Sequence, residues 1–505
     1  MSNRSLSIID AGMGGMLAEI ETHLSNGLPA VIIIGSASKA VDEAKERLRG
    51  AFANSHLVLP KKRITVNLAP ADVPKDSISL DIPIAAAILM ASRQVPHKTS
   101  DLLYFGELAL DGGVRPIRGI IGKLLAAKRL GYTQAIIPLS NAGQARLIPG
   151  LTLFPLGSLE DLYNHLTGLR PIKPIQSSSS PSEPTDALDS GTDMSEIVDQ
   201  IVAKRAAEIA AAGGHNLLLS GPPGTGKSML AKALLGIFPA MTQEEMLEVT
   251  HLHSLASHDF DQIVSSRPFR APHHTASAVS IIGGGQKPKP GEISLSHRGV
   301  LFLDEIPEFG RTTIEALRQP LEDRTITVAR AAGNITYPAH FTLVATANPC
   351  PCGYYGSSKA CECLPAQIVK YQKKLSGPII DRIDLFVDVQ EVKHAALLRG
   401  KKQESSDTIA KRVLAARKRQ QRRFSNTVRT NSEMSSKEVK LLSMLTTEAE
   451  TFLNEAAEKL GLSARAYIRS IKVARTIADL ENDDHILPSH VAEALQYRKR
   501  EQNFL

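Results

Sequence analysis

Residues Gly221–Ser228 read GPPGTGKS and match the pattern GxxxxGK[ST] without a departure. The pattern needs a strand before it and a helix after it, and both are present. Asn216–Ser220 (NLLLS) is a short apolar run of strand type, and Ser228–Leu235 carries a helical apolar period. The loop Gly221, Pro222, Pro223, Gly224, Thr225, Gly226, Lys227 and Ser228 therefore reads as a nucleotide phosphate cradle. Glycines let backbone N–H groups curl around phosphate oxygens, and the helix N-terminus adds its positive dipole end. Lys227 places a cation on the outer phosphates of ATP, and Ser228 offers a hydroxyl to Mg²⁺. A chance glycine-rich turn is the competing reading, and the flanking elements argue against it.

A second segment completes the chemistry. Val300–Glu305 (VLFLDE) is a buried-strand pattern ending in two acids. Asp304 is placed to hold Mg²⁺ and Glu305 to polarise the attacking water. Two solvated acids after a strand are the bland alternative, weakened by the loop upstream. FTLVATAN is a further apolar strand ending in Asn348, suited to orient water beside the γ-phosphate or else a plain strand-end turn residue. Arg382, in SGPIIDRID, and Arg465, in LSARAYIRS, are positioned to reach a phosphate. On spacing alone both read better as surface arginines.

The chain has 505 residues, too many for one ordinary core. Its one clear linker is QSSSSPSEPTDALDSG, Gln176–Gly191, polar and without hydrophobic period. We expect an N-terminal α+β domain over residues 1–170, a linker over 171–192, an α/β ATPase core with a parallel sheet over 193–395, and a helical lid over 396–505. In the first, Ala30–Ile34 and Ala135–Pro138 read as strands, and Ala40–Phe52, Ile82–Ala91 and Gly122–Leu130 as helices. The core opens with a helix over Glu196–Ala212, and Thr342–Ala345 is a further strand. Helices are expected over Ile409–Phe424, Ser435–Leu460, Ala464–Leu480 and Pro488–Arg500. The most apolar stretches, Ala30–Ile34 and Ile82–Ala91, fall short of the ~20 residues that cross a bilayer. Met1–Gly15 lacks the apolar run of a signal peptide, so a cytoplasmic protein without a membrane partner is expected.

These segments together resemble the YifB-type, magnesium-chelatase-like family of AAA+ ATPases. The likeness is carried by GGHNLLLSGPPGTGKSMLA, RPFRAPHHTAS, GEISLSHRGVLFLDEIPEF, LRQPLEDR, NPCPCGYYG, SGPIIDRIDL and ARAYIRSIKVARTIADL. The resemblance implies an AAA+ P-loop NTPase ring, usually a homo-hexamer, with helicase-type action on single-stranded, duplex or branched DNA. It implies branch migration in homologous recombination and natural transformation, with recombination proteins as possible partners. It also implies that Arg382 is an arginine finger acting on a neighbour and Arg465 a lid sensor. The N-terminal unit resembles the proteolytic domain of Lon, a ribosomal S5 domain 2-like fold, through PKDSISLDIPIAAAI and GELALDGGVRPIRGIIGKLLAAKRLG. Ser79 falls at the Lon serine, but Ile121 holds the lysine position and Lys123 lies two residues along. Leu80 and Asp81 replace the glycine-rich turn. A dyad needs its amine within reach of the hydroxyl, so proteolysis is not expected.

All four cysteines, Cys350, Cys352, Cys361 and Cys363, lie in one loop as C-x-C-x₈-C-x-C. Clustering of this kind points to a metal and not to a disulfide scaffold, and four thiolates suit tetrahedral Zn²⁺. The C-x-C spacing departs from the usual C-x₂₋₄-C, and four reduced thiols remain the alternative. Basic and aromatic neighbours such as Tyr354, Lys359, Lys370 and Tyr371 suit DNA contact. Three other segments are candidates to touch DNA. Asp323–Pro338 reads as a hairpin with Arg330 near its tip, Ile281–Gly291 carries Lys287 and Lys289, and Ala410–Phe424 is a basic helix. A structural insert and a solvated helix face are the competing readings. His273 and His274 lack a third ligand nearby and read as packing residues. Basic residues number 59 and acidic ones 52, a net charge of +7 that permits a polyanionic partner without demanding one. A chelatase-type motor subunit that remodels a protein partner is the alternative function. A non-enzymatic ATP-binding ring is disfavoured by Asp304, Glu305 and Asn348.

Overall fold

A computed structural model describes residues 4–11, 14–35, 39–71, 78–96, 101–175, 192–256, 263–285, 289–330, 333–375, 377–392, 403–426 and 428–498. The chain forms two compact units. One comprises Met1–Pro184 with Met246–Ser265, the other Thr185–Glu245 with Ser266–Leu505. Most of the expected linker, residues 176–191, and the expected boundary at 395/396 lie outside the described residues.

The first unit is built on a seven-stranded mixed sheet. Its strand order is Ala30–Ile34, Arg63–Ala69, Gly14–Ser25, Arg4–Ala11, Leu102–Tyr104, Gln134–Pro138 and Thr152–Leu156. The helix Asp81–Ala91 is apolar almost all round and buried along its length from Asp81 to Met90, as a central core helix must be. Lys39–Asn54 and Ile120–Arg129 confirm the other two expected helices within a few residues. Ser79 and Lys123 are both buried, at 2% and 1% exposure, and Ile121 sits in an apolar cluster. Asp81, at the start of the central helix, has a structural role. Its carboxylate takes both Nε (2.7 Å) and Nη2 (3.0 Å) of Arg47 and the Leu108 N–H (3.0 Å).

The second unit holds a five-stranded parallel sheet. The order is Phe269–Arg270, Val300–Leu303, Thr342–Ala347, Leu217–Ser220 and Leu385–Asp388. The first of these strands in the chain, Leu217–Ser220, thus lies between the fourth and the fifth. In open α/β sheets ligands bind beyond the carboxyl ends of the strands where the order reverses. One core joins sheet and C-terminal helices, because Leu217, Val344 and Leu385 share a cluster with Ala474, Ile477 and Val491.

Two expected helices are corrected. Ser435–Leu460 is not continuous but divides into Ser436–Leu442 and Thr447–Lys459. Met444 between them is left-handed at φ +52°, Leu445 bridges to Ile486, and the Thr446 hydroxyl caps the second helix by accepting the Ala449 N–H. The apolar period continues through this break, so the cap was the only local sign of it. Likewise the helix expected from Glu196 begins at Ile201, after left-handed Asp199 and Gln200. Ala464–Leu480 is a helix with the expected bounds, while Pro488–Gln496 stops short of Arg500 among the described residues.

The Asp81 carboxylate is 1% exposed. Arg47→Ala leaves that charge buried without its guanidinium, and such truncations cost about 3–5 kcal/mol. Urea denaturation followed by circular dichroism should show a correspondingly lower midpoint. An unchanged midpoint would mean that the pair contributes nothing.

Candidate functional site

Strand register gathers the site. Val300–Leu303 pairs in parallel with Thr342–Ala345, and Leu217–Ser220 with Val344–Ala347. Residues that follow these strands therefore emerge side by side: the Gly221 loop, Asp304 with Glu305, and Asn348. The loop needs its glycines. Gly224 and Gly226 have φ of +80° and +86°, and a Cβ on Gly221 would lie 2.4 Å from the Val389 carbonyl oxygen. Lys227 opens the helix Lys227–Ala233, with its ammonium donating to the carbonyls of Gly221 (2.7 Å) and Pro222 (2.8 Å). Thr225 Oγ1 also donates to the Pro222 carbonyl, at 2.9 Å. Burial pulls the Lys227 pKa down, against the opposing pull of Asp304 and Glu305.

The acidic half is tied to this loop by short polar links. Ser228 Oγ donates to Asp304 Oδ2 at 3.4 Å, so the two oxygen ligands expected for Mg²⁺ are adjacent. Thr346 Oγ1 donates to Asp304 Oδ1 (2.6 Å) and accepts the Glu305 N–H (2.8 Å). Asn348 bridges the two sides. Its Nδ2 donates to Glu305 Oε1 at 3.0 Å and its Oδ1 accepts Lys227 Nζ at 3.4 Å. Glu305 itself is left-handed, at φ +51°. A non-glycine residue held there costs of order 1–3 kcal/mol, a strain that clusters at functional sites.

The two arginines lie together and apart from the loop. Arg382 and Arg465 line one cavity of about 470 Å³, with Arg324, Arg469 and Lys472, and no residue of the Gly221–Ser228 loop lines it. Arg382 Nη1 donates to the Pro378 carbonyl (2.7 Å), and Nη2 pairs with Glu322. Asn216 anchors the segment. Its Nδ2 donates to the Arg382 carbonyl (2.9 Å) and its N–H to Asp384 Oδ2 (3.0 Å). Burial works against the Asp384 charge, yet His215 at 3.5 Å, Arg469 and the Asn216 N–H hold its pKa well below the carboxylate range.

The four cysteines converge. Cys350 Sγ lies 3.3 Å from Cys352 Sγ and 3.7 Å from Cys361 Sγ, Cys352 and Cys361 are 3.6 Å apart, and all four sulfurs lie within 4.8 Å of one another. Tetrahedral Zn²⁺ with Zn–S bonds of ~2.3 Å sets sulfurs about 3.8 Å apart, so the donor set and spacing fit a closed structural site. Backbone N–H groups point at two of the sulfurs, from Tyr355 to Cys350 (3.3 Å) and from Cys352 to Cys363 (3.4 Å).

Comparison with known proteins bears on this arrangement. Residues 193–397 match the model described as magnesium chelatase, subunit ChlI, and residues 403–498 that of its C-terminal part. Residues 20–141 match a subunit ChlI model as well. The competence protein ComM of Haemophilus influenzae is 42% identical over 490 residues, covering 96% of this chain and 95% of that one. The chain belongs to the ComM/YifB family of magnesium-chelatase-like AAA+ ATPases. The YifB protein of Escherichia coli is 41% identical over 504 residues, covering 98% of this chain and 97% of its own. A Lon protease of Dictyoglomus thermophilum is 33% identical over 144 residues, which are 27% of this chain and 18% of that protease.

Within this family member the DNA candidates fare unevenly. Thr325–Arg330 and Gly333–Pro338 form the expected antiparallel hairpin, but the Arg330 side chain lies outside the described residues, as does Lys287. Lys289 is half-buried in the short strand Lys289–Pro290. The basic helix, observed as Ser406–Phe424, directs several arginines inward. Arg412 pairs with Glu208 (2.5 Å), Arg417 donates to the Ala211 carbonyl (2.7 Å), and Arg423 pairs with Asp479 (2.5 Å). Much of its charge thus serves packing. His273 rests on His274, with ring centroids 4.2 Å apart, and bonds to Thr275. Among the described residues no helix is long and apolar enough to cross a membrane.

Sequence reasoning missed Thr346, Asn216 and Arg324. Thr346 had a faint signal, since strand alternation sets it on the same face as Asn348. Thr346→Val keeps the shape but leaves the Glu305 N–H and Asp304 Oδ1 without this hydroxyl. A hydrogen bond to a charged group contributes about 1.5–3 kcal/mol, so ATP turnover should fall about tenfold to a hundredfold or more in a steady-state assay. Unaltered turnover would show that the hydroxyl does not position the two acids.

Proposed function

We propose that this chain is an ATP-driven DNA translocase of helicase type, working in the cytoplasm as a homo-hexameric ring in branch migration during homologous recombination and natural transformation. The observation that carries the reading is the separation of two half-sites. Lys227, Ser228, Asp304, Glu305 and Asn348 form one cluster, while Arg382 and Arg465 line a cavity that the phosphate loop does not reach. Each half is completed when a neighbouring copy brings its arginines to the phosphates, which couples hydrolysis to motion between subunits.

In this reading the loop N–H groups and Lys227 bind and orient the polyphosphate of ATP. Ser228 and Asp304 would hold Mg²⁺, which when bound would neutralise charge on the phosphates. Glu305 accepts a proton from the attacking water, and Asn348 holds the Glu305 carboxylate in position until the γ-phosphate competes for its amide. Arg382 of one copy stabilises charge that develops on the γ-phosphate of the next, with Arg465 reporting nucleotide state. Cys350, Cys352, Cys361 and Cys363 would hold a structural Zn²⁺. Phosphate contacts from Arg330, Lys287 and Lys289 would face DNA. The N-terminal unit serves assembly or DNA contact and not proteolysis, supported by Ile121 in an apolar cluster and Asp81 in an ion pair with Arg47.

The family models favour a second reading, a chelatase-type motor that remodels a protein partner. The name of the Haemophilus relative weighs against it. The two readings separate in an ATPase assay with single-stranded, duplex, forked and four-way junction DNA. Stimulation by at least one of these is expected, weakening as salt rises because phosphate contacts release counterions. Absence of stimulation by all four moves the assignment to the chelatase-type motor. Lys227→Ala should abolish ATP binding. Glu305→Gln should retain ATP but slow hydrolysis about a hundredfold or more; wild-type turnover in this variant would remove Glu305 as the base.

A further inference from the structure

The cysteine knuckle does more than stand near the nucleotide site: it touches the phosphate loop. Gly353, inside the knuckle, is left-handed at φ +86°, and a Cβ there would lie 2.7 Å from Pro223 Cδ and 3.0 Å from Pro223 Cγ. The knuckle backbone therefore rests directly on the ring of Pro223, the third residue of GPPGTGKS. At its first residue the loop also meets the continuation of strand Leu385–Asp388, where the Val389 carbonyl leaves no room for a side chain on Gly221.

A second link runs along the chain. Cys350 follows Asn348 with only Pro349 between, and Asn348 is the residue that bonds both Glu305 and Lys227. The intervening Pro349 carbonyl accepts Gln372 Nε2 at 3.0 Å. The Gly353 N–H donates to the Cys350 carbonyl at 3.0 Å, so the turn that meets Pro223 is closed on the buried cysteine itself. A movement of Cys350 thus reaches the site twice, through Asn348 and through Pro223.

Cys350 Sγ sits within the sulfur cluster, 3.3 Å from Cys352 and 3.7 Å from Cys361. Four thiolates this close repel one another unless a cation sits among them, and metal binding to such a loop is also its folding energy. We propose that Zn²⁺ on Cys350, Cys352, Cys361 and Cys363 is the clamp that sets the phosphate loop and Asn348, so that ATP affinity depends on zinc occupancy. This inference rests on the ATPase reading above. It assigns the knuckle a role that a merely local structural zinc would not have, since a local site can be emptied without loosening a ligand held elsewhere.

The test uses the full-length chain, with zinc measured by elemental analysis and ATP affinity by titration with a fluorescent ATP analogue. The purified chain is expected to hold about one zinc. Stripping it with a thiol reagent and chelator should weaken nucleotide binding about tenfold or more, and reduction with added zinc should restore it. Cys361→Ser with Cys363→Ser should reproduce the stripped state. Because that variant risks unfolding, Gly353→Ala is the independent probe: it keeps all four cysteines and pushes on Pro223, so zinc should remain while nucleotide affinity falls. Lys227→Ala should lose nucleotide and keep zinc. A zinc-free chain that binds ATP as the loaded chain does overturns the clamp, as does a Gly353→Ala chain with unaltered affinity or a folded wild type with no zinc. A zinc-loaded wild type that binds no nucleotide overturns the ATPase reading and the clamp with it.

Discussion

The amide of Asn348 is the joint on which the nucleotide site depends. It bonds both to the lysine of the phosphate loop and to the acid at the end of the neighbouring strand. Thr346, two residues earlier on the same strand, holds the other acid and the backbone of Glu305. One strand therefore sets the relation between cation and carboxylates. It can do so because it lies between the strands that end in Gly221 and in Asp304. Parallel pairing on both sides leaves little freedom to slide, since a one-residue slip would turn every side chain to the opposite face.

Around this joint the second unit is unusually integrated. The sheet and the C-terminal helices share a core, and Asn216, just before the first strand, bonds the Arg382 carbonyl, Asp384 and the Leu343 N–H. A polar side chain at that depth is tolerated because each of its groups has a partner. The consequence is mechanical. The segment carrying Arg382 is tied to the base of the strand whose far end carries the phosphate loop, so a change at either end has a short covalent and hydrogen-bonded path to the other. The N-terminal unit tells a different story in its own terms. There a charged pair, Asp81 with Arg47, stands at the start of the central helix, and Ile121 lies in an apolar cluster.

Much of this was legible in the chain. The loop, the two acids and Asn348 announce themselves because backbone geometry and phosphate chemistry restrict which residues can stand there. The cysteine cluster was legible for the same reason. Helices with one unbroken apolar period, such as Ala464–Leu480, were legible as well. Illegible were features in which local pattern and tertiary need part company. Ser435–Leu460 keeps a helical period across Met444, yet the chain turns there to pair Leu445 with Ile486. The basic stretch of Ser406–Phe424 looks like a face for a polyanion, yet Arg412, Arg417 and Arg423 find acids and carbonyls within the unit.

By itself the sequence determined the chemistry on offer: a phosphate loop, two acids, an amide, two arginines and four thiols, each in a context that only certain residues satisfy. Only the tertiary structure decided which of these meet. It brought Lys227, Glu305 and Asn348 together, gathered Arg382 and Arg465 in a separate cavity, and set the cysteine knuckle against Pro223. The reason is that a motif is enforced by covalent geometry over a few residues, whereas these meetings span as many as 121 residues of chain or more and follow from strand order and register, which no local pattern encodes.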